Sequence, residues 1–383
     1  MTPPNRILIT GARAPVALHL CRLLASDTCQ IFLADTYDAP LSKASNRHSG
    51  YIKLPPPRYD LAGYGAALAK AVAAHKIDLI IPTSEEVFFL AILAERGALT
   101  APLLAPDISK LAAVHDKFRF IELARSYGLN VPVTTLITCA EDLFKTDPTA
   151  TVYKPVWSRF ASAVLIKPNA KNLGKLNPTA HNPWVAQQFI EGNEISVYAV
   201  ARNGKLVTYS AYQSVFRAGK GAGVCFAPLR DRAVQDWVSH FIEASGWNGQ
   251  ISFDMIRQTD GSVLPLECNP RATSGLHFFT DTTAFPHGLW AGTTLTPDVT
   301  SQLASRLALW VYGLPQAIKT GQLSAFKNSL RHAGEILDWP DDHAPVKAQF
   351  RALREIIKIA IKQRISLQQA STRDIEWNGP DAD

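Results

Sequence analysis

The chain has 383 residues, 47% of them hydrophobic, 19% charged and 9% aromatic, and its 39 Lys and Arg against 33 Asp and Glu leave a net charge of +6. At about 100 to 200 residues per domain, this length predicts two or three domains with sizeable cores, and the composition excludes a disordered chain, a collagen-like repeat or a small stapled scaffold. Five scattered cysteines without CxxC pairs argue against a disulfide framework or structural zinc. Without a secretory h-region or about 18 consecutive apolar residues, the expectation is a soluble cytoplasmic protein.

From residue 6 to about 106, short apolar runs alternate with amphipathic segments. Arg6 to Thr10, Gln30 to Asp35 and Asp78 to Ile81 read as buried strands, Pro15 to Leu24 and about 63 to 75 as helices, and a further helix opens at Glu85-Glu86. Strand and helix in alternation predict an open parallel α/β sheet. Gly11-Ala12-Arg13-Ala14-Pro15 lacks the second and third glycines of a dinucleotide fingerprint, which argues against a nicotinamide site and leaves an anion-binding turn open. Arg13, Glu85 and Glu86 lie at strand C-terminal ends and are substrate-side candidates, with helix capping the plainer role for the two acids.

Residues 107 to 128 read as one helix capped by Asp107 and closed by Gly128 and Pro132. Longer β-branched and aromatic segments follow at hairpin spacing, with Asn203-Gly204 and Asp260-Gly261 as the strongest turn signals. This part predicts a mixed or antiparallel α+β domain. From about 286 onward the pattern is mostly helical, and the acidic tail after Thr372 reads as frayed.

The stretch from Ile251 to Arg271 carries the most chemistry. Its turn at Asp260-Gly261 lets Asp254 and Glu267 face each other across a hairpin, and Glu267 and Asn269, two apart, share a face. Two carboxylates and an amide oxygen suit Mg²⁺, and Arg271 adds a fork-shaped cation for phosphate oxygens; a solvated hairpin with acids at its ends is the alternative. The Asp, turn, Glu-x-Asn-x-Arg order resembles the metal-binding hairpin of the ATP-grasp superfamily. Other elements are similar in the same order: His115-Asp116-Lys117-Phe118, the Gly128 to Thr134 connection, Val152-Tyr153-Lys154-Pro155, and Gln187 to Glu194.

The resemblance implies an α/β plus α+β architecture. A Rossmann-like domain (1–106) would precede a two-lobed ATP-grasp domain (107–290, break near 183) and a helical C-terminal region (291–383). It also implies roles. Lys117 and Lys154 would meet the ATP phosphates, and Gln187 the adenine amino group, with Phe189 and Ile190 as backbone contacts and walls. Glu194 would accept the ribose hydroxyls, and Asp254, Glu267 and Asn269 would hold Mg²⁺ or Mn²⁺. The flap after Lys154 is not glycine-rich, so Ser158, Arg159 and Ser162 are its phosphate candidates. Arg217 and Lys220, in and beside a second glycine-rich loop, would lie near an acyl phosphate, and Arg271 would stabilise first the phosphate and then the oxyanion. The implied reaction is ATP-dependent ligation of a small-molecule carboxylate to an amine. A phosphoryl transferase of the same fold and a non-catalytic nucleotide-binding module are the alternatives.

The net charge is concentrated. Lys347, Arg351, Arg354, Lys358, Lys362 and Arg364 against Glu355 place +5 of the +6 in residues 347 to 364. Val346, Phe350, Leu353, Ile357, Ala360 and Ile361 recur at helical spacing beside these cations, which describes a basic amphipathic helix. The expectation for residues 346–365 is docking on the catalytic body or on a second copy of the chain, with an acidic partner or an anionic membrane surface as the other reading. Nothing in this distribution points to nucleic acid.

Overall fold

The computed structural model describes residues 3–159, 163–219 and 221–379. Strands β1 (Arg6–Thr10), β2 (Gln30–Asp35), β3 (Gly50–Lys53) and β4 (Leu79–Ile81) form a parallel sheet in the order β3-β2-β1-β4. Ile7 and Ile9 pack with α1 (Pro15–Leu24) on one face, while Leu8 and Ile80 pack with α2 (Leu61–His75) and α3 (Glu86–Glu95) on the other. Burial on both faces is why these strands are apolar throughout rather than alternating. Gly11 turns the chain out of β1 at φ +73°, where a Cβ would come within 2.5 Å of Thr83 Oγ1, so the tight turn requires glycine.

The expected single helix over 107 to 128 is two helices, α4 (Ile108–His115) and α5 (Lys117–Ser126). Asp116 between them is extended, and its Oδ1 accepts from the N–H groups of Phe118 and Arg119, both at 2.9 Å. An acid that caps so well starts a new helix rather than continuing the old one. The break makes Lys117 the first residue of a new helix, 3.5 Å from Glu267.

Two antiparallel sheets follow. The first contains β5 (Thr134–Ile137), β6 (Thr151–Pro155), β7 (Leu165–Ile166) and β8 (Trp184–Gln188) in the order β5-β8-β6-β7, with the short helices α6 (Ala140–Leu143) and α7 (Ala170–Leu173) in its connections. The second is built on β9 (Asn193–Arg202), β10 (Lys205–Arg217), β11 (Gly223–Leu229), β12 (Gly249–Arg257) and β13 (Val263–Asn269). Ile195, Val197, Ile251, Phe253, Met255 and Cys268 point into one core with α5 and α8 (Arg232–Ser245), whose Trp237 and Phe241 stack at 5.6 Å. Strand alternation then forces Glu194, Ser196, Ser252, Asp254, Glu267 and Asn269 onto the opposite face.

After α9 (Ala284–Ala291) the chain is mostly helical, as expected, but β14 (Leu303–Ala304) and β15 (Gly334–Glu335) extend the large sheet to the order β13-β12-β9-β10-β11-β14-β15. Between and after them lie α10 (Arg306–Ala308), α11 (Leu314–Thr320), α12 (Leu323–His332), α13 (Ala344–Gln363) and α14 (Leu367–Thr372). A buried ion pair, Arg22 Nε to Asp342 Oδ2 at 2.8 Å, ties this region to α1, and Ser45 Oγ donates to the same carboxylate. Residues 373–379 of the tail are not frayed. Asp374 pairs with Arg13 at 2.6 Å, Glu376 with Arg58 at 3.1 Å, and Trp377 is buried.

Helix α13 also departs from expectation. Its body-facing side is the row Ala352, Ile356, Ile359 and Ala360, whereas Phe350, Leu353, Ile357 and Ile361 are exposed beside the exposed cations. The more prominent apolar stripe therefore faces outward. Among the described residues, no helix is long and apolar enough to cross a membrane.

The helical layer also fixes a pH dependence. His19 is buried on α1, donates from Nε2 to the Phe279 carbonyl at 2.7 Å, and packs edge-on to His277 and Trp339. Burial lowers its pKa to about 4. The folded chain thus refuses a proton that the unfolded chain takes up below about 6.5, so stability falls as pH drops from 6.5 towards 4. His19→Gln is expected to shrink the loss of unfolding free energy between pH 7 and pH 5 by about 2 kcal/mol, measured by urea denaturation at the two pH values.

Candidate functional site

Asp254 and Glu267 are direct register partners across the β12–β13 hairpin, and Ser252 pairs with Asn269 in the same way. Ser196 on the neighbouring β9 donates its hydroxyl to Asp254 Oδ1 at 2.7 Å. Burial and the nearby charge of Glu267 push the Asp254 carboxyl up to about 6. Burial acts on Glu267 in the same direction, but Lys117 and Lys154 hold it below the usual carboxylate range. Glu267 is compensated, whereas at Asp254 the Ser196 hydroxyl and the charges of Arg217 and Arg271 do not outweigh burial and Glu267.

The compensating cations come from two other elements. Lys117, at the N-terminus of α5, lies 3.5 Å from Glu267 Oε2 and donates to the carbonyls of Ser158 (2.9 Å) and Val156 (3.3 Å). Lys154 on β6 donates to Gln187 Oε1 at 3.0 Å and to the Leu266 carbonyl at 2.9 Å. Burial lowers the Lys154 pKa to about 8, with Glu267 raising it and Lys117 lowering it. Arg271, just past β13, donates from Nη2 to Asn269 Oδ1 at 3.3 Å. The structure thus brings Lys117, Lys154, Asp254, Glu267, Asn269 and Arg271 around one hairpin.

The rest of the expected set is placed differently. Gln187 is buried on β8, its carbonyl engaged by Lys154 and its amide donating to Thr134 Oγ1 at 3.2 Å. It orients the lysine, so its carbonyl oxygen is already engaged where an adenine contact was expected. Phe189 and Ile190 follow in the link to β9, with Ile190 buried and the Phe189 ring 3.9 Å from Lys167 Nζ. Gly192 makes the same link possible at φ +156°, because a Cβ there would come within 2.4 Å of the Arg257 carbonyl. Glu194 is exposed on the Asp254 face and pairs with Arg217 at 2.6 Å. Arg217 also donates to the Gly221 carbonyl at 3.3 Å. Lys220 and Ser162 lie outside the described residues.

The N-terminal candidates are committed to internal partners. The Arg13 N–H and guanidinium both engage Asp35, and the guanidinium also engages Asp374, so the first turn offers structure rather than a free anion site. Glu86 accepts from Thr10 Oγ1 and from the N–H groups of Thr83 and Ser84, a capping role. Glu85 is buried against Arg159; burial raises its pKa, but Arg159 and His115 bring it down to about 2. Sequence reasoning gave no role to His115, Trp157 or Trp377, which cluster with Phe88 beside Glu85. An isolated indole in an acidic tail was the available signal for the last.

Residues 114–275 match the family model for an ATP-grasp domain. The chain carries an ATP-grasp domain. This domain spans every described member of the hairpin cluster and the Gln187 to Glu194 link. The fold is similar to that of N5-carboxyaminoimidazole synthetase from Staphylococcus aureus, at 13% identity and a TM-score of 0.61 over 80% of this chain and 83% of that one. It is also similar to L-amino acid ligase from Bacillus licheniformis (17%, 0.54, 72% and 69%). A third similar structure is biotin carboxylase from Campylobacter jejuni in a β,γ-ATP complex (15%, 0.60, 79% and 75%). No curated protein sequence matches the chain.

Among the described residues no three His, Cys, Asp or Glu side chains converge as a metal cluster. The hairpin set consists of two carboxylates and an amide, which fits a hard divalent cation sharing its shell with water and phosphate. The incompletely compensated charge at Asp254 yields a measurable consequence. A carboxyl whose pKa is higher folded than unfolded destabilises the fold at neutral pH. Asp254→Asn keeps an acceptor for Ser196 and is expected to stabilise the ligand-free protein by about 1 kcal/mol while weakening Mg²⁺-dependent nucleotide binding, as read by thermal melts with and without MgADP.

Proposed function

We propose that the chain is an ATP-dependent ligase that joins a carboxylate to an amine through an acyl phosphate, releasing ADP and phosphate. The observation that carries this reading is the hairpin cluster, in which Asp254, Glu267 and Asn269 meet Lys117, Lys154 and Arg271. It pairs a hard-cation donor set with more positive charge than the protein's own acids need, which suits a polyphosphate. The names of the similar structures, a synthetase, a ligase and a carboxylase, agree with it.

In this reading Asp254, Glu267 and Asn269 hold Mg²⁺ or Mn²⁺. Bound there, the metal supplies charge neutralisation for the nucleotide phosphates. Lys117 and Lys154 place ammonium groups towards the same oxygens, Lys154 being kept in line by Gln187 and the Leu266 carbonyl. Phe189 and Ile190 wall the adenine. Glu194 accepts from the ribose once it exchanges Arg217 for the nucleotide, and the released Arg217, with Lys220, turns to the reacting centre. Arg271, whose guanidinium donates to Asn269 Oδ1 in the ligand-free chain, meets the acid's carboxylate and then the oxyanion. No serine, histidine and aspartate set is required, because positioning and charge stabilisation carry phosphoryl transfer.

For its partners, we read the outward face of α13 as a contact for an acidic protein surface. Self-pairing of that face would oppose two rows of cations. The scattered, unpaired cysteines fit a reducing compartment such as the cytoplasm.

ADP release screened over pooled carboxylic acids and amines tests the main reading. Release is expected only when both an acid and an amine are present, and Glu267→Ala is expected to lower it by at least about a hundredfold. Release that needs neither co-substrate, or full activity in Glu267→Ala, would sink the ligase assignment.

A further inference from the structure

The C-terminal ends of strands in an open parallel sheet are where such folds take ligands. In this chain the corresponding crevice is filled by its own residues 371–379. Arg13, at the end of β1, donates to the Ser371 carbonyl at 3.1 Å and pairs with Asp374 at 2.6 Å. Arg58 pairs with Glu376 at 3.1 Å and donates to the Arg373 carbonyl at 3.2 Å. The Trp377 indole then stacks on Phe88, 4.6 Å away and 10° from parallel, and meets Trp157 edge-on at 5.3 Å. Gly379 lies against the same Trp157 ring, where a Cβ would come within 2.9 Å of it.

The contacts continue into the nucleotide site. Arg159 donates from Nη1 to Asn378 Oδ1 at 2.8 Å and from Nη2 to the Trp377 carbonyl at 2.5 Å, while its Nε holds Glu85. Trp157 and Arg159 flank Ser158, whose carbonyl holds Lys117 at 2.9 Å, and Lys117 in turn lies beside Glu267. His115, two residues before Lys117, is packed between Phe88, Trp157 and Trp377, and its buried Nε2 has no hydrogen-bond partner among the described residues. Each contact joins a different segment of the chain.

We propose that residues 371–379 are a built-in wall of the active site, with Trp377 and Asn378 as positioning residues that set the 156–159 segment and, through it, Lys117. The substrate acid then approaches from the Arg271 side, because the end of the parallel sheet is closed by the chain itself. The stack and the Arg159 fork act together: the ring fixes Trp157 from one side and the two acceptors fix Arg159 from the other. The backbone carbonyls between them have little freedom left. Without the wall, those carbonyls no longer hold the ammonium group against Glu267.

The inference rests on the nucleotide-site reading for one of its two readouts only. The first readout is acylation of Lys117 by an N-hydroxysuccinimide ester, followed by mass spectrometry, with alkylation of the core thiol Cys21 as the monitor of global opening. The second is ADP affinity in the presence of Mg²⁺. Losing an aromatic stack and its neighbours is expected to raise Lys117 labelling and weaken ADP each about tenfold in Trp377→Ala, with Cys21 still protected. Asn378→Ala is expected to move both in the same direction and by less. Trp377→Phe, which can still stack, is expected to restore both to within about twofold of the parent. Unchanged Lys117 labelling in both alanine variants, or labelling that rises only together with Cys21, would overturn the proposal. A parent chain that fails to bind ADP would count against the nucleotide site instead, and the labelling would still decide the role of the wall.

Discussion

Two carboxylates placed directly across a partly buried hairpin do not both ionise readily unless something opposes their charge. At the β12–β13 hairpin that opposition is uneven. Lys117 and Lys154 converge on Glu267, while Asp254, with the Ser196 hydroxyl and the Asn269 amide beside it and Arg217 and Arg271 farther off, is left with a raised pKa. The imbalance is what suits the site to a divalent cation, and much of the surrounding structure can be read as holding it in place. The break between α4 and α5 places Lys117, the Gln187 amide orients Lys154, and the core behind β9, β12 and β13 keeps the two strands in register.

The same logic accounts for how the C-terminal part relates to the N-terminal sheet. Arg22 with Asp342 and Arg13 with Asp374 are both largely buried ion pairs between segments more than three hundred residues apart in sequence. Pairs of this kind add little net stability compared with apolar packing, but breaking one leaves a charge without water, which makes the arrangement specific. They fix the return of the chain to the ends of the parallel strands, so the crevice there is a matter of internal architecture before it is one of ligand binding.

How much of this was legible beforehand depended on whether the cause was local. The hairpin register followed from one turn signal and period-two alternation, and the parallel sheet from its uninterrupted apolar strands. The helix break at Asp116 was equally local, since an acid two or three residues before free N–H groups is a cap, but a continuous helical pattern concealed it. The resemblance implied an adenine contact for Gln187, and the contact it makes in the ligand-free chain, with Lys154, is set by pairing between β6 and β8. The tail could not be read at all from its own residues. Asp374, Glu376 and Trp377 look solvated in isolation, and only the distant Arg13, Arg58 and Phe88 give them partners.

These placements share one feature. In the ligand-free chain most of the candidate binding charges are paired with one another: Glu194 with Arg217, Glu267 with Lys117, and Lys154 with an amide and a carbonyl. Leaving such groups unpaired in a partly buried cleft would cost more than the fold can spare. In the proposed function, nucleotide binding would be an exchange of partners, with phosphate oxygens replacing the acid beside Lys117 and ribose hydroxyls replacing the guanidinium beside Glu194. Because ribose hydroxyls are neutral, that exchange would leave the Glu194 charge to water, which its 60% side-chain exposure allows, and would free Arg217 for the acid.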